Sequence, residues 1–532
     1  MGYVLAMYDI RGKQDFIYRR TKVREIIGAS QIIRDCFKDY LYDAAEKVCK
    51  EKGASTKTTG ICTYKIKEVK EDKCIYEVGE EFSKGEFEKH IGEGYIGEVV
   101  YEGGGNFFVL FKDMDSYKAT NKIFYRSLLE EIGSLRVLTS YVEVDNFDNY
   151  GDDEKRLRNK HRKNEQRECA IHPVNTLPIV QTDYMDSMPL ERTLEEIEKE
   201  VDNAHIPKDE KEVKISLESF AKYKKYYKYL NDNKDKPYLD VTEFDKMVEQ
   251  KGVDSHLAVI YIDGNSMGAK VQKNTEGNGM VSYEDRINAL RKFSAEIQRD
   301  YIDVQREKIN AYLGDNAKRY VVYAGDEITL ICNAKHAFNI VKEYFKALPG
   351  GGKEEHTSCA GVAIFHSHAP YSDAYRVAEE CCESGKQLMK KKEIENACFM
   401  DFQYLQGAVG VSLEKIREKD HVADLCKPWA YYPDDKEADF ESFVDIEHMK
   451  RILNVIARGN TKDLLQYAKS NKERYELEIE RIIAHCKNEE DKKKLNDDKD
   501  FLKEHRELLY RMMLVFDLWF KEEKSDKEAQ DD

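Results

Sequence analysis

Proline is scarce in this chain, nine residues in 532, and tryptophan scarcer still, with two. So little proline argues against long proline-rich linkers and for packed, mostly regular structure. No apolar run is long enough to span a bilayer, and the opening MGYVLAMYDIRGKQDF reaches charge too soon for a signal peptide. Gly2 formally fits an N-myristoylation pattern, but residues 3–9 read as a buried strand. The twelve cysteines form no CxxC pair, so a zinc ribbon or finger is not supported. They sit mostly among apolar residues, as reduced thiols do, and the expected place is the cytoplasm, with no membrane partner. Positive charge is also in deficit: 86 basic residues against 102 acidic ones leave −16. A field of that sign repels phosphate backbones, which disfavours nonspecific nucleic-acid binding as the main task. It leaves room for a local basic pocket that takes a triphosphate.

What is present is a chain too long for one hydrophobic core, so at least three domains are expected. Residues 3–9 (YVLAMYD) read as a buried strand, and a helix is predicted from Gln14 to about Cys49. Strand-like runs at 95–101 and 106–111 flank the turn Glu102-Gly103-Gly104-Gly105; a helix at 115–132 and a strand at 135–144 follow. The same order returns later. A strand at 256–263 (HLAVIYID) precedes a helix over about 283–313, then a hairpin at 319–323 and 328–332 around Ala324-Gly325-Asp326-Glu327. A helix at 334–348, a strand at 358–365, a helix at 372–392 and a strand at 397–404 complete it. Two copies of one topology imply an internal duplication. The predicted boundaries are a first α/β domain at 1–150, a polar linker or helical insert at 151–254, a second α/β domain at 255–410, a helical domain at 411–523, and a disordered acidic tail at 524–532. Each α/β copy has helices on one face of an antiparallel sheet, an α+β arrangement.

The chemistry concentrates in YIDGNSMG (261–268) and YAGDEITLI (323–331). Asp263 ends a strand, and Asp326 and Glu327 sit at a hairpin turn. If the strands are neighbours, Asp263 is expected to meet Asp326 across the ladder, a carboxylate pair that repels unless a cation lies between. Magnesium or manganese suits such a pair, taking one or two carboxylates and filling its other positions with water and phosphate oxygens. Gly264, Asn265, Ser266, Met267 and Gly268 offer backbone N–H groups just past a strand end, as anion cradles do, and Gly264 adjoins the metal position. Lys386 is the candidate cation for the triphosphate. The bland reading is turn chemistry: DG and GDE are common in hairpins, and Lys386 can be a solvated helix-end lysine. His172, His366 and His368 invite a metal reading without a third ligand, and loop or core roles suit them better. The basic run 155–167 fits either an RNA contact or a solvated helix face.

AGDEI resembles the GGDEF or GGDD turn of palm-domain nucleotide cyclases and polymerases. YDIRGKQDFIYRRTKVREIIGAS (8–30) resembles the opening of the first palm in the large subunit of type III CRISPR effector complexes, and CAGVAIFHSHAPYSDAYRVAEECCESGK (359–386) resembles a late segment of its second palm. That resemblance implies two ferredoxin-like palms side by side with a helical C-terminal domain, and synthesis of cyclic oligoadenylates from ATP as second messengers in antiviral defence. It makes Asp263 and Asp326 metal ligands and Glu327 a further acid near metal or ribose. Gly325 would let the nucleotide approach the backbone. In the first palm the turn reads Gly103-Gly104-Gly105-Asn106, without acids, so its glycines either seat an acceptor nucleotide or serve a purely structural palm. Asp9 ends the first strand without a turn partner and is not assigned to catalysis. Ala324 and Glu327 depart from the GGDD form, only Cys169 falls where zinc-binding cysteines are expected, and no HD nuclease domain is expected before the first palm. The implied protein is a free-standing relative. An RNA or protein activator, a downstream effector that senses the product, and oligomer formation are all left open. Two other readings stand beside it: a catalytically silent nucleotide-binding or scaffold protein, and a diguanylate cyclase.

Overall fold

The computed structural model describes residues 2–20, 22–51, 60–70, 73–103, 106–145, 147–167, 179–233, 244–248, 255–276, 282–349, 356–394, 396–407, 410–432 and 442–520. Strand β1 (Tyr3–Arg11) is buried from Val4 to Tyr8, as suits a central strand covered on both faces. Helices α1 (Lys13–Tyr18), α2 (Val23–Cys36) and α3 (Tyr42–Glu51) follow. The single helix expected from Gln14 to Cys49 is therefore broken. Its first break brings Arg20 inward, where the guanidinium donates to Glu25, Asp183 and Ser219. A buried charge must be paired and hydrogen-bonded, and two of these partners, Asp183 and Ser219, are remote in sequence. A π-helical turn at Phe37–Leu41 makes the second interruption.

Strands β2 (Ile61–Cys62), β3 (Lys65–Lys70) and β4 (Lys73–Val78) and helix α4 (Lys84–Gly92) have no counterpart in the sequence reading. Strands β5 (Gly97–Gly103) and β6 (Asn106–Phe111), helix α5 (Met114–Glu131) and strand β7 (Arg136–Val144) complete a sheet ordered β2-β5-β6-β1-β7. The basic run lies on α6 (Tyr150–Arg167), which buries Tyr150, Leu157 and His161 and leaves most of its basic side chains exposed. The next part of the chain holds β8 (Leu190–Thr193), α7 (Glu195–Glu200), β9 (Lys214–Ser216) and α8 (Leu217–Asp232).

The second palm opens with β10 (His256–Gly264), α9 (Met267–Glu276), α10 (Tyr283–Ile297) and α11 (Val304–Leu313), the last two joined by a π-helical turn at Gln298–Asp303. The hairpin β11 (Lys318–Ala324) and β12 (Glu327–Asn333), helix α12 (Ala337–Ala347), strand β13 (Ser358–His366), helix α13 (Tyr371–Lys392) and strand β14 (Cys398–Tyr404) follow. With α14 (Leu413–Lys419) and β15 (Trp429–Tyr431) the second sheet runs β11-β12-β10-β13-β14-β15. In both sheets the opening strand lies between the second hairpin strand and the closing strand, antiparallel to each. This is the ferredoxin-like order, present twice, and the fold is α+β with two palms and a helical region.

By compactness the chain forms two units. The first comprises Met1–Thr242, Ser266–Asp303 and Val321–Asp326; the second comprises Glu243–Asn265, Val304–Tyr320 and Glu327–Asp532. In the first, Leu5, Met7, Phe108 and Leu110 of the sheet share a core with Tyr283, Ile287 and Leu290 of α10. In the second, α15 (Phe443–Val455), α16 (Arg458–Ser470), α17 (Lys472–His485), α18 (Glu489–Asp497), α19 (Lys499–Glu504) and α20 (Arg506–Trp519) form the helical region. The tail expected to be disordered lies outside the described residues. No described helix is long and apolar enough to cross a membrane.

One buried group ties the last helix to the second sheet. Asp401 of β14 is fully buried and accepts from Arg417 of α14 at 2.9 Å and from Arg511 of α20 at 2.7 Å. Burial alone would raise its carboxyl pKa; the two guanidiniums outweigh burial and hold it at about 2. A depressed folded pKa contributes stability above the unfolded value of 3.8 and loses it as pH falls toward about 2. Asp401→Asn should cost about 3–5 kcal/mol, because it strands two buried cations. Urea unfolding from neutral pH down to acid checks this: the variant should also lack the part of the wild-type acid slope that lies between those two pKa values.

Candidate active site

Every residue of β10 from Leu257 to Ile262 is buried, and the strand emerges at Asp263, which is partly exposed. The ladder sets Asp263 opposite Glu327 of β12 and opposite Cys359 of β13. This corrects the expected pairing with Asp326. Gly325 and Asp326 are the two residues of the turn, Gly325 with φ +68°, so Glu327 is already the first residue of β12. A glycine with positive φ at the first turn position is the conformation that two-residue hairpins of type II′ demand. Directly paired residues share one face of the sheet, with Cβ atoms about 4.5–5.5 Å apart. Two carboxylates so held repel.

A third charge answers them in part. Lys386 of α13 donates a hydrogen bond from Nζ to Asp263 Oδ2. Burial would lower the lysine pKa, but Asp263 outweighs it and the group is pushed up to about 12, so it stays charged throughout the neutral range. Gly361 makes this reach feasible: a Cβ there would overlap the Ala378 carbonyl, so β13 and α13 touch backbone to backbone. The sequence reading passed over Glu379, seven residues before Lys386 and hence on the same helix face. Its carboxyl pKa is raised, by burial first and then by Glu380, Asp263 and Glu383. Tyr261, two residues before Asp263 and on its face, packs edge-on against Tyr375 of α13 at 5.7 Å. Its phenol is raised by burial and by Glu327 and Asp263. Even with Lys386 in place, the region around Asp263 carries excess negative charge. Such a donor set fits a hard divalent cation.

The candidate phosphate loop divides. Gly264 still pairs with Ser358 in the ladder. Asn265 is buried; its amide N–H donates to the Thr357 carbonyl at 2.9 Å and its side chain donates to Thr357 Oγ1 at 3.2 Å, so it braces the loop. Ser266 is exposed, with φ +55°, Met267 opens α9, and Gly268 has open space around it.

The first palm repeats the register with other residues. Asp9 of β1 faces Asn106 of β6, as Asp263 faces Glu327. Asp9 Oδ2 accepts from Arg11 at 2.9 Å and lies 3.4 Å from His161 Nε2 of α6. Burial raises the Asp9 pKa, but His161, Arg11 and Lys13 outweigh it and the carboxyl is lowered. The Tyr101 hydroxyl lies where a Cβ on Gly103 would go; Gly104 and Gly105 lie outside the described residues. Asp326 is close enough to Tyr101 to raise its phenol, after burial, to about 12. Arg34 of α2 donates to the Tyr323 hydroxyl at 2.8 Å, three residues before Asp326. His366 ends β13, exposed, and accepts the His368 amide N–H at 3.2 Å. Neither joins a three-ligand group among the described residues. His172 and Cys169 lie outside the described residues.

The family model for the second palm domain of Cas10/Cmr2 matches residues 256–395. No curated protein matches the chain. Among solved structures, the apo Csm1-Csm4 cassette aligns at 14% identity and a TM-score of 0.45, over 90% of this chain and 64% of that one. The Csm1-Csm4 cassette in complex with cA3 aligns at 15% identity and a TM-score of 0.42, over 75% and 54%. The chain thus spans between 54% and 64% of the length of those chains. Residues 256–395 thus resemble the second palm domain of Cas10/Cmr2, and that segment carries the likeness to the large subunit of type III CRISPR effector complexes.

Proposed function

We propose that this chain is a nucleotidyl transferase that builds cyclic or linear oligonucleotide second messengers from ATP in CRISPR-type antiviral defence. The observation that carries the reading is the opposition of Asp263 and Glu327 at the open end of a buried strand, with Lys386 against one of them. Asp263, Asp326 and Glu327 are the proposed catalytic acids, Asp326 being the turn residue directly before Glu327. Asp263 and Asp326, with Gly264, the residue after Asp263, would hold Mg²⁺ or Mn²⁺, which when bound steadies phosphate charge and lowers the pKa of the attacking hydroxyl. The ribose oxygen bonds to the α-phosphorus of a second ATP, the bond from that phosphorus to the bridging oxygen breaks, and pyrophosphate leaves with the electron pair. The hydroxyl proton passes to solvent. Lys386 balances Asp263 in the free protein and turns to the triphosphate when ATP arrives. Gly325 admits the nucleotide to the backbone, and the N–H groups from Ser266 to Gly268 face its phosphates. The sealed Asp9 of the first palm favours a structural part for that domain.

That same sealed palm favours one rival, a nucleotide-binding or scaffold protein without turnover, since the topology persists there without a carboxylate pair. Incubation of the full chain with each of the four nucleoside triphosphates and Mg²⁺ or Mn²⁺, with and without RNA, followed by mass spectrometry, separates the readings. The expected outcome is oligoadenylate plus pyrophosphate, with Asp263→Ala, Asp326→Ala and Glu327→Ala each at least about 100-fold slower. ATP binding without any product would favour the silent protein, and a guanine dinucleotide would favour a diguanylate cyclase.

Lys386→Met separates the two parts assigned to that side chain. Without nucleotide, removing the ammonium should tighten Mn²⁺ binding about three- to tenfold, or ~1 kcal/mol, while ATP binding weakens. Spin resonance of free Mn²⁺ and calorimetry with ATP read the two changes; a parallel loss of both would refute the exchange.

A further inference from the structure

The first unit holds a second cluster of ligand-type side chains, remote in kind from the carboxylates of the second palm. Cys62 of β2 and Glu98 of β5 are direct partners in a parallel ladder, which turns both side chains to one face. His90, on the last turn of α4, brings Nδ1 to 3.0 Å from Glu98 Oε2. The thiol sulfur, the imidazole nitrogen and the carboxylate oxygen all lie within 4.8 Å of one another. Cys62 is 7% exposed and Glu98 4%.

Two features prepare these groups for an ion. Glu98 uses its other oxygen, Oε1, to accept from Arg291 at 2.9 Å, and Arg291 is itself fully buried and donates to the Val100 carbonyl at 3.2 Å. The carboxylate is thereby fixed in direction, with Oε2 turned to the cluster, as outer-shell partners fix metal-ligating carboxylates. The His90 ring is braced edge-on by Tyr95 at 5.7 Å. One sulfur, one nitrogen and one oxygen donor form the mixed set that borderline-soft Zn²⁺ accepts and that Mg²⁺ does not prefer. We propose that Cys62, His90 and Glu98 bind one Zn²⁺, with a fourth position left to water, and that the ion clamps β2, α4 and β5 together. Binding releases the Cys62 thiol proton to solvent, and the thiolate and carboxylate charges offset the ion.

The full-length chain is stripped with a chelator and reloaded with Co²⁺ as a spectroscopic probe. Wild type should take one equivalent with a thiolate-to-cobalt charge-transfer band in the near ultraviolet, and Zn²⁺ should displace it. Cys62→Ser, close to isosteric, should lose the band and weaken Zn²⁺ binding by more than about tenfold, the loss that even outer-shell changes reach. His90→Gln should weaken Zn²⁺ binding while leaving the thiol, and Cys74→Ser should behave as wild type. Cobalt bound without the band would place the ion on carboxylates elsewhere and overturn the proposal. So would a band that survives Cys62→Ser, or no binding at all, which would leave a buried His90–Glu98–Arg291 network only.

Discussion

The opposition of Asp263 and Glu327 is imposed by the apolar strand beneath them. The strand β10 lies between β12 and β13, and its side chains from Leu257 to Ile262 are buried on both faces of the sheet. Slipping the ladder by one residue would turn each of those side chains to the opposite face, into packing shaped for a different residue, so close packing holds the register against two repelling charges. Like charges directly opposed in a sheet are destabilising, and the core sustains that cost. Under the proposed function, that repulsion is what a bound cation would relieve. Lys386 meets part of the demand from outside the sheet, and it can do so because Gly361 lets α13 lie directly on β13. A lysine is a suitable partial answer: a single ammonium on a flexible stem can be drawn away by a triphosphate, which a fixed guanidinium fork would resist.

The first palm shows what happens when the same register is no longer charged on both sides. Asn106 stands where Glu327 stands, and nothing repels Asp9 across the ladder. Its own strand supplies Arg11 and α6 supplies His161, so the carboxylate is bonded inward rather than left facing solvent. An acid paired in this way has little call for a divalent ion. The two sheets thus share one strand order while the residues at their strand ends differ, so the fold alone does not decide the chemistry of either end.

The opening strand, the glycine hairpin and the closing strand of each palm were legible because their signals are local. YVLAMYD and HLAVIYID are continuous apolar runs with an acid at the end, and glycines mark both turns. The register was misread by one residue because turn length decides which acid faces Asp263, and the letters GDE do not say where the turn stops. The long helices were over-extended for a different reason: the break at Arg20 depends on Asp183, 163 positions away. Strands β3 and β4, KIKEVK and KCIYEV, pair mainly with each other and alternate weakly, so nothing in periodicity singled them out. Lys386 could be noticed but not placed, because its contact depends on the approach of a helix to a glycine on another strand. Glu379 carried a usable signal, the seven-residue spacing from Lys386.

The cysteine pattern illustrates how an absence in sequence bounds less than it seems to. Lack of CxxC pairs removes zinc ribbons and fingers, whose ligands are close in sequence because a small loop must fold around the ion. It has no bearing on ligands brought together by a preformed sheet, where Cys62 and Glu98 are neighbours only through pairing of β2 with β5. The two candidate cation positions also differ in hardness and access. Carboxylates at an open strand end suit an ion that must share its coordination with substrate and leave with product. A thiolate, an imidazole and an oriented carboxylate held among buried groups suit an ion that stays. A protein that holds one exchangeable metal and one permanent one would gain from this separation, since a thiolate and an imidazole favour Zn²⁺ over Mg²⁺.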